Sequence, residues 1–210
     1  MSIILWDWDG TLADTMPAHA DLAAKCIQKH FGINFQNARE EYLNTSGIPF
    51  DYQLKKIFPN TEESKIDSCA EEYHREKMTY VYGNPKDFPE ALNVIREIEK
   101  KGIYQIISSS TEENIIKEWS SKNNLEILVF GRESGSKKEH ISKIKERFPG
   151  EKTIFVSDSY GDMNLPVDVS LGVDVPQNKE KIFWESGASN VSFKPVSIEW
   201  LKEVEQFLVE

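Results

Sequence analysis

The chain has 210 residues and a formal net charge of −10, from 25 Lys and Arg against 35 Asp and Glu. Hydrophobic residues make up 39% of it, which excludes a disordered chain and suits one large domain, or one domain with an insert. Because the chain is acidic and has no cluster of Lys and Arg, we do not expect nucleic acid or an anionic membrane as partner.

The compartment is expected to be the cytoplasm. No apolar run approaches the ~18 residues that a membrane-spanning helix requires, and the apolar start is too short for a signal peptide. Cys26 and Cys69 are too few for a disulfide framework or a Cys-based zinc site, so we expect reduced thiols.

Short apolar runs alternate with helical patterns, which predicts an α/β fold with a mostly parallel sheet. The predicted strands are Ile3–Trp6, Ile103–Ile107, Glu126–Phe130, Thr153–Val156, Val169–Val173 and a weaker Asn190–Phe193. The helices predicted between them are Phe88–Lys101, Glu112–Asn123 with Thr111 as N-cap, and Lys138–Phe148.

Residues 16–81 contain no convincing strand. Helical patterns run from Pro17 to Gly32 and recur at 38–44, 50–58 and 62–80. Connections in α/β units are far shorter than this. The sequence therefore predicts a helical domain at 16–81, inserted into an α/β domain of 1–15 and 82–210.

The first predicted strand runs directly into Asp7-Trp8-Asp9-Gly10-Thr11. In extended chain, residues i and i+2 face the same side, so Asp7 and Asp9 should project together at the edge where open α/β sheets bind ligands. Two carboxylates this close need a shared proton or a cation, and a hard ion such as Mg2+ suits them. A simple Asp-Gly turn is the alternative.

Polar residues also follow the next three predicted strands. Ser108-Ser109-Ser110-Thr111 could hold a phosphate, or cap a helix. Lys137-Lys138 could pair with an anion at the same edge, although an isolated Lys pair is more often solvated. Asp158 and Asp162 follow the fourth strand as candidate metal ligands, or Asp158 caps a helix. Together, in this order, these residues supply a nucleophile, an acid/base, anion ligands and a metal site.

With these motifs the sequence resembles the haloacid dehalogenase (HAD) superfamily, in its Mg2+-dependent phosphohydrolase branch. The resemblance covers nearly the whole chain, including Asp14-Thr15 and the stretches 88–102 and 187–191. It implies the HAD fold, with a Rossmann-like parallel sheet. It also implies that the insert is a helical type 1 cap, as in phosphoglycolate phosphatases and β-phosphoglucomutases.

The resemblance implies a role for each motif residue. Asp7 would be the nucleophile that forms an aspartyl-phosphate, and Asp9 the acid and base for the leaving alcohol and the attacking water. The groups implied to bind phosphate are Ser109, Ser110, Lys137 and the backbone N–H groups of Trp8 and Asp9. A slip of one residue leaves Ser108 open as the motif hydroxyl, and Lys137 fits the family spacing better than Lys138.

The same resemblance implies Mg2+ as the cofactor. Asp7, Asp158 and the main-chain carbonyl of Asp9 would ligate the ion. Asp162 would complete the metal shell, or orient water or the motif lysine. Ser157 stands where Gly or Glu usually precedes the metal Asp.

Substrate specificity is expected in the insert. The loop Ser46-Gly47-Ile48-Pro49 resembles the segment that type 1 caps bring to the site, and His19, Gly47 and Lys55 are candidate contacts. The alternatives are a solvated Lys55 and a structural or surface His19.

The implied function is hydrolysis of a small phosphorylated metabolite, a phosphate monoester, by a monomer or homodimer. Two alternatives stay open: a sugar phosphomutase of the β-phosphoglucomutase type, and a non-catalytic module that binds Mg2+ and phospho-ligands. The missing Glu before Asp158 counts against the mutase. Dehalogenase chemistry is disfavoured because that branch lacks the second Asp and the metal.

Overall fold

The computed structural model describes residues 2–45 and 48–208. The chain forms two compact units, one of Met1–Asp14 with Asp87–Glu210 and the other of Thr15–Lys86. The predicted insert of 16–81 lies inside the second unit. Within the described ranges, no helix combines the length and apolar character needed to cross a membrane.

The first unit is built on a parallel sheet, as the alternating patterns predicted. Its strands in the described residues are β1 (Ser2–Trp6), β2 (Tyr104–Ser108), β3 (Leu128–Phe130), β4 (Lys152–Ser157), β5 (Val169–Gly172) and β6 (Asn190–Val191). Their order across the sheet is β3-β2-β1-β4-β5-β6, and every pairing is parallel.

Strand β1 lies in the interior of the sheet, between β2 and β4, and all five of its residues are buried. Continuous burial explains its apolar run from Ile3 to Trp6, because helices cover both faces of an interior parallel strand. Trp6 pairs with Ile107 of β2 and with Val156 of β4, so the three strands end at the same level. The residues that follow these strands therefore meet at one edge.

The second unit is helical, which confirms the predicted insertion. Its helices are α1 (Met16–Phe31), α2 (Phe35–Thr45), α3 (Phe50–Ile57) and α4 (Glu63–Tyr80). Helix α1 ends as predicted at Gly32, whose φ of 76° is the left-handed conformation that glycine adopts without strain. Cys26 and Cys69 are buried free thiols in this unit, and burial raises the pKa of Cys26 to about 11.

Five further helices lie in the described part of the first unit. They are α5 (Ala91–Lys100), α6 (Glu113–Lys122), α7 (Lys137–Arg147), α8 (Glu180–Glu185) and α9 (Ile198–Leu208). The sequence did not predict α8 and α9. The prediction that Thr111 caps α6 is wrong, because the N-cap position is Glu112 and the Glu113 N–H donates to Glu133.

Four predicted strands extend past an end of the observed strand, β2 and β5 by one residue and β3 and β6 by two. Strand β3 begins at Leu128 rather than Glu126, because pairing with β2 starts where Leu128 meets Ile106. Strand β6 ends at Val191 rather than Phe193, since its pairing with β5 spans two residues. Apolar residues that continue past the last hydrogen bond between two strands cannot be distinguished from strand residues by sequence alone.

Candidate active site

Asp7 is a buried carboxylate at the end of the interior strand β1. Its backbone N–H continues the ladder by donating to the Val156 carbonyl at 2.9 Å, and only 6% of the residue is exposed. Oδ1 accepts the Trp8 backbone N–H at 2.8 Å. Oδ2 lies 3.0 Å from the Lys137 Nζ and accepts a hydrogen bond from Ser157 Oγ at 3.3 Å.

Lys137 lies between two carboxylates. Besides Asp7, its Nζ donates to Asp162 Oδ2 at 2.6 Å. Asp162 also accepts the Ser157 hydroxyl at 2.7 Å, so Ser157 bridges the same pair of carboxylates. Lys138, the alternative in the sequence, is exposed.

Lys137 is the first residue of helix α7, so the start of this helix sets the position of the lysine. Ser136 and Glu139 form a capping box, in which Ser136 Oγ accepts the Glu139 N–H at 3.3 Å and Glu139 Oε2 accepts the Ser136 N–H at 2.6 Å. This pairing satisfies two backbone donors at the helix start, and therefore determines where α7 begins.

Asp158 follows β4 and packs against the Asp-Gly turn. Gly10 has φ of +71°, and a Cβ added there would lie 2.2 Å from Asp158 Oδ2. Thr11 Oγ1 accepts the Asp158 N–H at 3.1 Å, and Asp158 Oδ1 accepts from the same hydroxyl at 3.4 Å. The motif forms a turn, and the glycine of this turn makes room for the second carboxylate.

The cluster carries more negative than positive charge. Burial raises the pKa of Asp7 to about 6, from an ordinary 3.8; repulsion from Asp162 adds to this effect, and Lys137 opposes it. Burial and the charge of Asp7 also raise the pKa of Asp158 well above its ordinary value. Burial lowers the pKa of Lys137, but Asp7 and Asp162 outweigh burial and hold that pKa above its ordinary value.

The donor set fits Mg2+. Within residues 2–45 and 48–208, no three His, Cys, Asp or Glu side chains form a ready metal cage. Mg2+ does not need one, because it keeps several waters and takes one or two carboxylates with substrate oxygens. Asp7 and Asp158 offer two buried carboxylates, and burial together with repulsion from neighbouring carboxylates raises the pKa of each. Lys137 contacts both Asp7 and Asp162, and its contact with Asp162 is the shorter, at 2.6 Å.

The serines after β2 divide between two environments. Ser108 Oγ and His140 Nδ1 lie 2.9 Å apart, and both residues are fully buried. Ser109 Oγ accepts the Thr111 N–H at 3.2 Å, and its own N–H donates to the Phe130 carbonyl at 3.0 Å. These contacts favour Ser109 over Ser108 as the hydroxyl at the sheet edge.

Asp9 makes a contact that the sequence analysis missed. Its Oδ2 accepts a hydrogen bond from the Thr111 hydroxyl. The only signal in the sequence was a hydroxyl two residues after Ser109. Ser110, by comparison, is exposed.

Trp8 is a core residue whose side chain is fully buried. It packs edge-on against Trp119 with ring centroids 6.0 Å apart, and Trp119 Nε1 donates to Asp87. The Trp8 backbone N–H donates to Asp7, so this N–H orients the carboxylate.

The specificity residues predicted in the helical unit have other contacts. His19 is buried, with Nδ1 2.6 Å from the Tyr73 hydroxyl and Nε2 3.2 Å from that of Tyr82. Lys55 is exposed and pairs with Glu63 at 2.8 Å. Gly47 lies outside the described residues. These contacts agree with the structural interpretation of His19, and a specificity role for all three stays a prediction.

Comparison with known proteins identifies the family. The sequence profile of the haloacid dehalogenase-like hydrolases matches residues 4–166. No curated protein matches the chain significantly.

Solved structures with the same fold share little sequence with this chain. A haloacid dehalogenase-like hydrolase from Streptococcus pneumoniae has a TM-score of 0.78 at 14% identity, covering 99% of this chain and 98% of its own. A predicted phosphatase from Clostridium acetobutylicum gives 0.73 at 16%, covering 98% of each chain. A β-phosphoglucomutase from a Pyrococcus strain gives 0.68 at 18%, covering 99% and 100%.

At these identities the structures establish the fold and leave the reaction open. The family profile, however, spans most of the chain and includes the motif residues from Asp7 to Asp162. The resemblance stated from the motifs is therefore confirmed, and the protein belongs to the haloacid dehalogenase-like hydrolases.

Proposed function

We propose that this protein is a Mg2+-dependent phosphatase that hydrolyses a small phosphate monoester through an aspartyl-phosphate on Asp7. The observation that carries the proposal is the buried contact of Lys137 with both Asp7 and Asp162 at the end of β1. A carboxylate held by an ammonium is suited to attack an anionic phosphoryl group, because the cation offsets the repulsion.

In the first half-reaction an Asp7 carboxylate oxygen attacks phosphorus and the bond to the substrate's ester oxygen breaks. The departing oxygen takes a proton from Asp9, so it leaves as a neutral alcohol. Ser109 and Lys137 donate hydrogen bonds to the phosphoryl oxygens, where negative charge is concentrated.

In the second half-reaction a water molecule attacks the phosphorus of the aspartyl-phosphate. Asp9, now ionised, takes a proton from that water, and the bond between phosphorus and Asp7 breaks. Inorganic phosphate and the two original carboxyl groups result. Asp162 keeps Lys137 in place through both steps by its 2.6 Å contact.

Asp7, Asp158 and the main-chain carbonyl of Asp9 are the groups that would hold Mg2+. When bound, the ion supplies positive charge that screens the nucleophile from the phosphate. The raised pKa values of Asp7 and Asp158 support this assignment, because both carboxylates gain from a cation.

The test is turnover of a panel of phosphate monoesters with Mg2+, comparing the unsubstituted protein with Asp7→Asn. Release of phosphate should be lost in the variant and retained in Asp67→Asn, an exposed carboxylate on α4. Acid-quenched protein should carry a hydroxylamine-labile phosphoryl group that maps to Asp7. Full turnover by Asp7→Asn, or no turnover of any ester by the unsubstituted protein, contradicts the proposal.

Two other activities are outcomes of the same experiments. Formation of a hexose 6-phosphate from the 1-phosphate, in place of free phosphate, would indicate the mutase; Ser157 in place of Glu argues against it. Stoichiometric phosphorylation by acetyl phosphate without turnover would indicate a binding module. Action on a small metabolite by a cytoplasmic monomer or homodimer remains part of the proposal.

A further inference from the structure

We propose that Thr111 is a positioning residue that holds the Asp9 carboxylate for proton transfer to the leaving oxygen. This inference rests on the proposed phosphatase function. It assigns a task to a residue that neither binds phosphate nor ligates metal in that mechanism.

Hydrogen bonds on its hydroxyl, its N–H and its carbonyl hold Thr111 in place. Its hydroxyl donates to Asp9 Oδ2, its N–H donates to Ser109 Oγ at 3.2 Å, and its carbonyl accepts the Arg132 N–H at 2.9 Å. The residue is only 3% exposed. Thr111 therefore connects the proposed acid/base with the proposed phosphate-binding hydroxyl.

The Thr111 hydroxyl contacts a carboxylate, and the N-cap position of the next helix is the following residue, Glu112. Helix α6 begins at Glu113 after the N-cap Glu112, and the Glu133 carboxylate accepts the Glu113 N–H at 2.9 Å. A threonine just before a helix usually satisfies backbone donors of the first turn. Here its hydroxyl points instead to a carboxylate 102 positions earlier in the chain.

The contact has a chemical consequence. A carboxyl group transfers a proton efficiently only when one oxygen lies within hydrogen-bond reach of the reacting atom. The hydrogen bond from Thr111 to Oδ2 restricts rotation of the Asp9 carboxyl plane. Without the Thr111 hydroxyl, the Asp9 carboxyl group should remain at the site but should be poorly oriented for proton transfer.

Leaving groups that differ in basicity separate this role from a general structural role. An alkoxide is strongly basic and needs the proton from Asp9, whereas p-nitrophenolate departs without it. The value of kcat/KM covers the steps up to departure of the leaving group and excludes hydrolysis of the aspartyl-phosphate.

The experiment compares kcat/KM for glycerol 2-phosphate and p-nitrophenyl phosphate, with Mg2+, in Thr111→Val and Thr111→Ser. Valine removes the hydroxyl at nearly constant shape, and serine retains it. We expect Thr111→Val to lose about tenfold to a hundredfold on the alkyl ester, the worth of a hydrogen bond to a charged group, and far less on the aryl ester. Thr111→Ser should restore most of the alkyl activity, and Ser121→Ala, an exposed serine on α6, should change neither value.

Equal losses on both esters, or no loss on either, would overturn the assignment of Thr111 while leaving the phosphatase proposal intact. If the unsubstituted protein turns over neither ester, the comparison is made with another alkyl and aryl pair from the panel; absence of turnover of every ester would overturn the proposed function and this inference with it. If Thr111→Val does not fold, as judged by its unfolding transition, Thr111→Ala provides the same comparison with less bulk.

Discussion

At the scale of single residues, the site combines four acidic side chains with one ammonium group. Asp7, Asp162 and Lys137 are in direct contact, and Asp158 lies close enough to Asp7 for mutual repulsion. Such an arrangement opposes folding until a cation or substrate compensates it, a common cost of functional sites. Stability and activity should therefore change in opposite directions when one of these carboxylates is neutralised.

Asp7→Asn should abolish turnover yet stabilise the metal-free protein. The folded-state pKa of about 6 exceeds the ordinary 3.8, so the ionised carboxylate costs folding free energy above about pH 6 and that cost fades as the pH falls. We expect a gain of about 1–3 kcal/mol in unfolding free energy near neutral pH with EDTA, measured by urea denaturation. Asp162 remains as partner for Lys137.

The control for this variant is Asp67→Asn, which should stay within about 0.5 kcal/mol of the unsubstituted protein. A loss of stability in Asp7→Asn would mean that the ion pair with Lys137 outweighs burial and repulsion.

Gly10→Ala should damage the site by a clash as well as by backbone strain. Its φ of +71° disfavours any side chain, and the new Cβ would lie 2.2 Å from Asp158 Oδ2. Gly102→Ala is the matched control, with φ of +72° and nothing within 4 Å of its Cβ. Both variants should lose about 1 kcal/mol of stability from backbone strain, and only Gly10→Ala should need more Mg2+ for half-maximal activity. Equal Mg2+ requirements would show that Asp158 does not depend on the turn.

At the scale of elements, the ends of helices and strands position the residues of the candidate active site. Strands β1, β2 and β4 end at one level, and α7 begins at the lysine that reaches the same edge. His140, one turn into α7, contacts Ser108 at the end of β2 and so connects helix to strand. Burial lowers the pKa of His140, so it is the neutral imidazole that makes this connection near pH 7.

Ser136→Ala removes the hydroxyl of the capping box at the start of α7. We expect a loss of about 1 kcal/mol in unfolding free energy, together with lower kcat/KM because Lys137 is the next residue. Ser142→Ala, an exposed serine on the same helix, should change neither quantity by a comparable amount. Unchanged kinetics in a destabilised Ser136→Ala protein would show that side-chain contacts alone hold Lys137.

At the scale of the whole molecule, a protein of negative net charge is proposed to bind a negatively charged phosphate ester. The net charge of −10 excludes a long-range attraction of phosphate by the chain itself. Positive charge is needed locally, and Lys137 with a bound divalent ion can supply it. Binding of that ion should be visible in the stability of the folded protein.

Mg2+ should raise the thermal unfolding temperature at about pH 8 and lose this effect as the pH falls through about 6, because ligating carboxylates must be ionised. Differential scanning fluorimetry with and without MgCl2 across this range provides the measurement. Asp158→Asn should abolish the shift, while Asp67→Asn should keep it. A shift of equal size at about pH 5 would place the ion elsewhere on the protein.

The sequence by itself determined the fold class, the helical insertion, the family and the candidate carboxylates. These follow from local patterns: the apolar run of β1 with Asp7 at its end, the Gly32 stop of α1, and motifs in a specific order. Periodicity and turn chemistry act over a few residues, and can therefore be recognised without a structure.

Only the tertiary structure decided which polar groups meet. The contacts of Lys137 with Asp7, of His140 with Ser108 and of Thr111 with Asp9 each join residues that are distant in the chain. The second of these contacts favours Ser109 over Ser108 as the hydroxyl at the sheet edge. The register of parallel strands and the starting residue of α7 determine these contacts, and a shift of one residue would turn each side chain to another neighbour. Long-range packing determines that register, which local sequence does not encode.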